Sequence, residues 1–137
     1  MEKRDIALRQ LKAAARHYNS GDYICSITLS GAAEEILGRI ALKRTKSNQL
    51  KGEIAYLRSV YEYFSGKIPE DRFLIAKINK IKNELKHNDS GENEWVDADF
   101  EDEAATLFVR GVKNYFDCYN QLPKDVIINR LFDHLTL

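Results

Sequence analysis

The chain has only two prolines, Pro69 and Pro123, and each sits where a helical pattern breaks. Proline fixes φ and lacks an amide hydrogen, so long stretches without it leave helices free to run. Between these breaks Ala, Leu, Lys, Glu and Arg dominate, and no run alternates apolar with polar residues as a strand would. The chain is therefore expected to be all-α. Long amphipathic stretches joined by short turns predict an antiparallel, up-down bundle of four to five helices. The length suits one domain, 1–137, with no room for a second sizeable core. When folded, a chain of this mass is expected to expose roughly 7,300 Å².

The apolar spacing places the elements. A first helix runs from about Glu2 to Tyr18 and buries Ile6, Leu8, Leu11, Ala14 and Ala15. Gly21 suits a left-handed turn, and Asp22 can cap the second helix. That helix, Tyr23 to about Arg44, repeats Cys25, Leu29, Ala32, Ile36 and Ile40 on one face, expected to be its buried stripe. Gly31 and Gly38 lie on another face, and two helix-interior glycines imply that something packs unusually close there. A third helix, about Leu50 to Phe64, is expected to bury Ile54, Leu57, Val60, Tyr61 and Phe64. A fourth, about Glu70 to Lys86, carries Leu74, Ile78, Ile81 and Leu85. After a polar loop over Asn88–Asp99, turning at Asp89-Ser90-Gly91 and anchored by Trp95 and Val96, a fifth helix spans about Glu101 to Gln121. It is expected to bury Ala104, Leu107, Phe108, Val112, Tyr115, Phe116 and Tyr119. A short last helix, Lys124 to Leu135, comes after Pro123.

The 21 basic and 21 acidic residues cancel overall but not locally. Residues 1–88 hold 17 Lys+Arg against 10 Asp+Glu, and residues 89–137 hold 4 against 11. Either the acidic stretch folds back on the basic half, or the basic half is a face for polyanions. Two distant cysteines, Cys25 and Cys118, make neither a disulfide framework nor a zinc knuckle. No apolar run reaches the roughly 18 residues of a membrane span. The opening Met1-Glu2-Lys3-Arg4-Asp5 lacks the apolar stretch of a signal peptide. A soluble, cytoplasmic protein without a membrane partner is expected.

The segment with most chemistry is Ile81-Lys82-Asn83-Glu84-Leu85-Lys86-His87-Asn88-Asp89. On a helical wheel Leu74, Ile78, Ile81 and Leu85 cluster, while Asn83 and His87 fall on nearly the opposite side, flanked by Lys82 and Lys86. His87 titrates near neutral pH. It also lies near a helix C-terminus, where its charge would be favourable without any further role. Glu84-x-x-His87 matches half of a di-iron ligand set, but no second copy exists. His17 and His134 read as surface residues, and Ser26 and Ser30 as small packing residues. Glu34 and Glu35 read as surface acids, partners of Arg39 and Lys43, or partners of Lys82 and His87. There is no glycine-rich phosphate loop, and Trp95 is expected to plug the bundle.

Lys82-Asn83-x-x-x-His87 resembles the signature of the HEPN superfamily of nucleotide-binding helical domains, in which an Arg and a polar residue precede a His by four to six positions. The hairpin around Tyr18-x4-Tyr23 and the Gly31-Ala32-Ala33-Glu34-Glu35 stretch fit the same pattern. The resemblance implies an HEPN-like bundle over roughly 1–120. Active members of the family are metal-independent ribonucleases that join two motifs in a dimer. Many others are inactive binding or dimerisation modules, often beside a nucleotidyltransferase-like antitoxin. By this resemblance His87, Asn83 and Lys82 would form the catalytic set, with Lys80, Lys86 and Glu35 contacting substrate, and no metal or cofactor. RNA cleavage of this kind needs His87 to move a proton and a cation to steady the phosphoryl oxygens. Lys82 offers charge but not the bidentate fork of Arg. The expectation is a non-catalytic module of a prokaryotic stress, toxin–antitoxin or defence system, working as a homodimer with RNA, a nucleotide or an antitoxin as partner. The alternative is a metal-independent ribonuclease with a composite dimer site around His87.

Overall fold

A computed structural model describes residues 1–86 and 94–137. All regular structure among them is helical: α1 (Lys3–Asn19), α2 (Tyr23–Thr45), α3 (Gln49–Ser65), α4 (Asp71–Ile78), α5 (Lys80–Lys86), α6 (Phe100–Tyr119) and α7 (Val126–Thr136). Side chains at the boundaries cap the helices. Asp22 accepts from Cys25 N, Asn48 from Lys51 N, Asp99 from Asp102 N, and Asp125 from both Ile127 N and Ile128 N. Gly21 turns the chain between α1 and α2 at φ 82°, a conformation that costs glycine little. The expected fourth helix is two, interrupted at Asn79, a weak helix former. No described helix is long and apolar enough to cross a membrane.

The core lies where α1, α2, α6 and α7 meet. Ala7, Leu11, Ala14 and Ala15 of α1 pack with Ala33 and Leu37 of α2, Phe108, Val112 and Tyr115 of α6, and Ile128 and Leu131 of α7. A second cluster, Ile27 with Ala104 and Leu107, takes in Leu85 of α5. Helix α1 runs antiparallel to α2 across the Gly21 turn. It is antiparallel to α6 as well, since Tyr18 meets Glu101 at one end and Arg4 stacks on Tyr119 at the other. The closest-packed pair, α2 and α6, is parallel. Gly31 faces Leu107, Gly111 faces Glu34, Gly38 faces Asn114, and Cys118 Sγ reaches Leu37 O at 3.6 Å. Three intervening helices permit that direction.

This pair corrects the expected face of α2. Cys25 is exposed, and Leu29, Ala32, Ile36 and Ile40 are only half-buried. The buried residues are instead Ser26, Ile27, Ser30, Gly31, Ala33, Glu34, Leu37, Gly38 and Ala41. Side-chain size decides the matter: α2 is gripped on two sides, and small residues allow both neighbours to approach. The expectation for the two helix-interior glycines holds, because both lie under another element's side chain. Other expected core residues are exposed: Phe64 by 81%, Phe116 by 45% and Trp95 by 85%, so Trp95 does not plug the bundle.

Helices α3 and α4 form an arm that contributes little to the core. Each buries one residue, Ile54 and Leu74 respectively. Tyr56, Tyr63, Phe64, Ile68, Phe73 and Ile75 on the arm are all exposed. The total accessible surface is 8968 Å², above the roughly 7,300 Å² expected of a compact monomer of this mass.

Candidate functional site

The site is built where α5 crosses α2. Lys82 was expected on an outward polar face, yet its side chain is only 2% exposed. It enters because α2 offers no side chain at Gly31. A Cβ there would stand 2.6 Å from Lys82 Cδ and 3.1 Å from Cγ. The aliphatic stem therefore lies across the α2 backbone, and the ammonium emerges at Glu35, with Nζ 3.0 Å from Oε1. Burying a lysine is costly unless its charge is paired, and Glu35 supplies the pair. Partial burial pushes the Glu35 carboxyl up, but the hydrogen bond and charge of Lys82, with Lys86 and Arg39 nearby, hold it below the ordinary range. Asn83, Lys80 and Lys86 are exposed. His87 lies outside the described residues, as does the expected Asp89-Ser90-Gly91 turn. The structure thus joins Lys82 to Glu35, and sets Asn83, Lys80 and Lys86 on the solvent side of α5.

A second charged group sits beneath. Arg110 of α6, 5% exposed, places Nη1 2.5 Å from Glu53 Oε2 of α3 and Nη2 3.4 Å from Glu34 Oε2 of α2. Glu34 is 3% exposed, so it is neither a surface acid nor a partner of Arg39 or Lys43. Arg110 Nε has no hydrogen-bond partner among the described residues. Glu103, two turns before Arg110 on the same side of α6, is half-buried. Burial pushes its carboxyl up, against the pull of Arg110 and with the added push of Asp102 and Glu53. Asn114 Oδ1 accepts from Gln49 N at 2.9 Å, while Asn48 Nδ2 donates to Gly38 O at 3.0 Å. These bonds fix the start of α3 against α2 and α6. Sequence reasoning missed Arg110, Glu53 and Asn114. A polar residue interrupting an otherwise apolar helix face, as Arg110 and Asn114 do between Leu107 and Tyr115, was the available signal.

His17, Asp22 and Cys25 bring one potential metal-ligand atom each within 4.8 Å of one another. The arrangement serves the α1–α2 turn. Asp22 Oδ1 accepts from Cys25 N as the cap, and Oδ2 lies 3.2 Å from His17 Nδ1. His17 is therefore paired rather than a solitary surface residue. Hydrogen bonding to Asp22 comes first among the influences that keep the Cys25 thiol protonated, which opposes metal binding because the thiolate is the ligand.

Comparison of this fold and sequence with known proteins adds no relative: no family model, no curated protein and no solved structure matches the chain.

Proposed function

We propose that the chain is an HEPN-like helical module that binds and self-associates without catalysis, in a prokaryotic stress, toxin–antitoxin or defence system. The observation that carries this reading is the burial of Lys82. A cation that steadies a phosphoryl transition state must point at the substrate with its charge uncommitted. Lys82 is held inside the bundle and its ammonium is hydrogen-bonded to Glu35. The residue standing where the family motif has Arg thus does structural work. Asn83, Lys80 and Lys86 remain exposed and can contact a nucleotide or RNA phosphate.

Self-association is supported by the α3–α4 arm. The arm leaves Tyr56, Tyr63, Phe64, Ile68, Phe73 and Ile75 exposed, and grouped exposed apolar side chains mark interaction sites. A homodimer through this arm is the reading, and light scattering should return about twice 15.8 kDa.

The catalytic question is tested by incubating the purified protein with RNA in EDTA, beside the His87→Ala variant. Neither protein should cleave. Cleavage by the parent that disappears in His87→Ala would replace this reading with a metal-independent ribonuclease.

A further inference from the structure

The face of α2 that was expected to be buried is only partly covered by the described residues. Ile36, Ile40 and Leu42, with Ile6 of α1, form the floor of an open trough of about 1020 Å³. Its rim is basic: Arg39, Lys43 and Lys46 come from α2 and its cap, Lys3 from α1 and Lys51 from α3. None of these five forms an ion pair with a described residue. The one acid in the lining, Glu35, is held by Lys82.

We infer that this trough is the docking site for an acidic amphipathic helix of a partner protein. Charge and shape both select that occupant. Five such cations beside one neutralised acid call for an anionic partner, and the complementary signs would steer its approach. The aliphatic floor calls for apolar side chains at i, i+3, i+4 and i+7, the pattern of a helix laid in a groove. From Glu35 to Lys46 the trough runs along α2 for about 16 Å, the length of roughly 11 helical residues. Single-stranded RNA fits less well: it is held by stacking its bases on aromatic rings, and the lining contains none. An anionic bilayer fits less well too, because a trough does not present its floor to a flat surface.

The probe is a fluorescein-labelled acidic helix of about 14 residues, with leucines at i, i+3, i+4 and i+7 and glutamates on both flanks. Anisotropy is read with the full-length protein at about 50 mM and about 300 mM salt, the second of which shortens the screening length. A peptide of the same composition with its leucines scrambled serves as control. A labelled oligouridine and vesicles of phosphatidylserine with phosphatidylcholine are measured alongside. The designed helix should bind in the micromolar range, and at least about tenfold more tightly than the scrambled peptide, since both floor and rim are engaged. Arg39→Glu with Lys43→Glu should weaken it at least about tenfold, with an unchanged circular dichroism melt, because neither side chain belongs to the core. Lys3→Glu, on a different helix, should weaken it in the same direction. Equal binding of the scrambled peptide, tighter binding of oligouridine or vesicles, unchanged affinity in the reversal variants, or no helix binding would each overturn the inference.

Discussion

Gly31→Ala puts the burial of Lys82 to a quantitative test. In an ordinary helix interior this change stabilises by about 1 kcal/mol, because alanine is the better helix former. Here the new methyl would meet Lys82 Cδ at 2.6 Å. That is well inside van der Waals contact, and a stem only 2% exposed has little room to swing away. Forcing a methyl into packed surroundings costs about 1–3 kcal/mol. The net change should therefore lie between neutral and about 2 kcal/mol destabilising. In a Lys82→Ala background the obstacle is gone, and the same substitution should stabilise by about 1 kcal/mol. The difference, a coupling of about 1–3 kcal/mol, is read from urea denaturation of the four proteins in the cycle. In thermal melts each kcal/mol corresponds to about 3–5 °C for a chain of this length. If Gly31→Ala stabilises equally in both backgrounds, with coupling under about 0.5 kcal/mol, Lys82 does not lie across Gly31. The case against catalysis would fall with it.

The buried charges and the arm give three further predictions. Arg110→Ala leaves Glu34 buried without its cation and should cost about 3–5 kcal/mol in urea denaturation, whereas Glu34→Leu with Arg110→Met should recover most of that loss. Glu103 has a raised folded-state carboxyl pKa, so its contribution is fully present below the ordinary glutamate range and is lost as pH rises through the folded value. Glu103→Gln should accordingly raise the melting temperature at pH 7 and lose that advantage as pH falls below the ordinary glutamate range, where the carboxyl is neutral folded and unfolded alike; an equal gain at both ends of the pH series would mean burial is not the cause. Tyr63→Asp with Phe64→Asp, at positions 83% and 81% exposed, should bring the light-scattering mass down to 15.8 kDa without lowering the stability of the monomer; an intact dimer would exclude the arm as interface.

Helix positions were legible because they depend on local signals. Gly21, Asp22, Asn48, Asp99 and Asp125 act at helix ends through their own backbone neighbours, which sequence displays directly. Which face each helix buries depends on what approaches it, and sequence displays that poorly. On α2 the more hydrophobic stripe, Leu29, Ile36 and Ile40, was the natural choice for the core. The side facing α1 and α6 uses small residues instead, because two helices must come close. Glycines at 31 and 38 marked that side, and they were the better guide. Lys82 was misplaced for the same reason: a wheel treats a lysine as outward, but a glycine opposite gives its stem a channel and Glu35 gives its charge a partner. Arg110 and Asn114 escaped notice because their partners lie far away in sequence: Glu34 and Glu53 are 76 and 57 positions from Arg110, and Gln49 is 65 from Asn114, separations that no spacing rule connects.

The same structure decides how the zero net charge should be understood. The described part of the acidic stretch, Glu94 to Glu103, forms no ion pair with the described residues of the basic half; Glu101 accepts a hydrogen bond from Tyr18 OH at the Gly21 end of the bundle. The basic trough lies at the other end of α2, around Arg39 and Lys43. From Tyr23 to the middle of that trough is about 25 Å along the helix, several times the roughly 8 Å over which exposed charges are felt at physiological salt. Asp99, Glu101 and Asp102, grouped around Tyr18, therefore screen the trough only weakly, and a balanced total conceals an uneven charge distribution. A partner that meets the trough feels the field of a basic protein. A partner that meets the start of α6 feels that of an acidic one. Association at the trough should thus slow steeply with salt even though the protein as a whole is neutral, whereas a net-charge argument predicts almost no salt dependence. Stopped-flow mixing with the acidic helix across a salt series separates the two, and a flat on-rate would show that the described acids reach the trough after all.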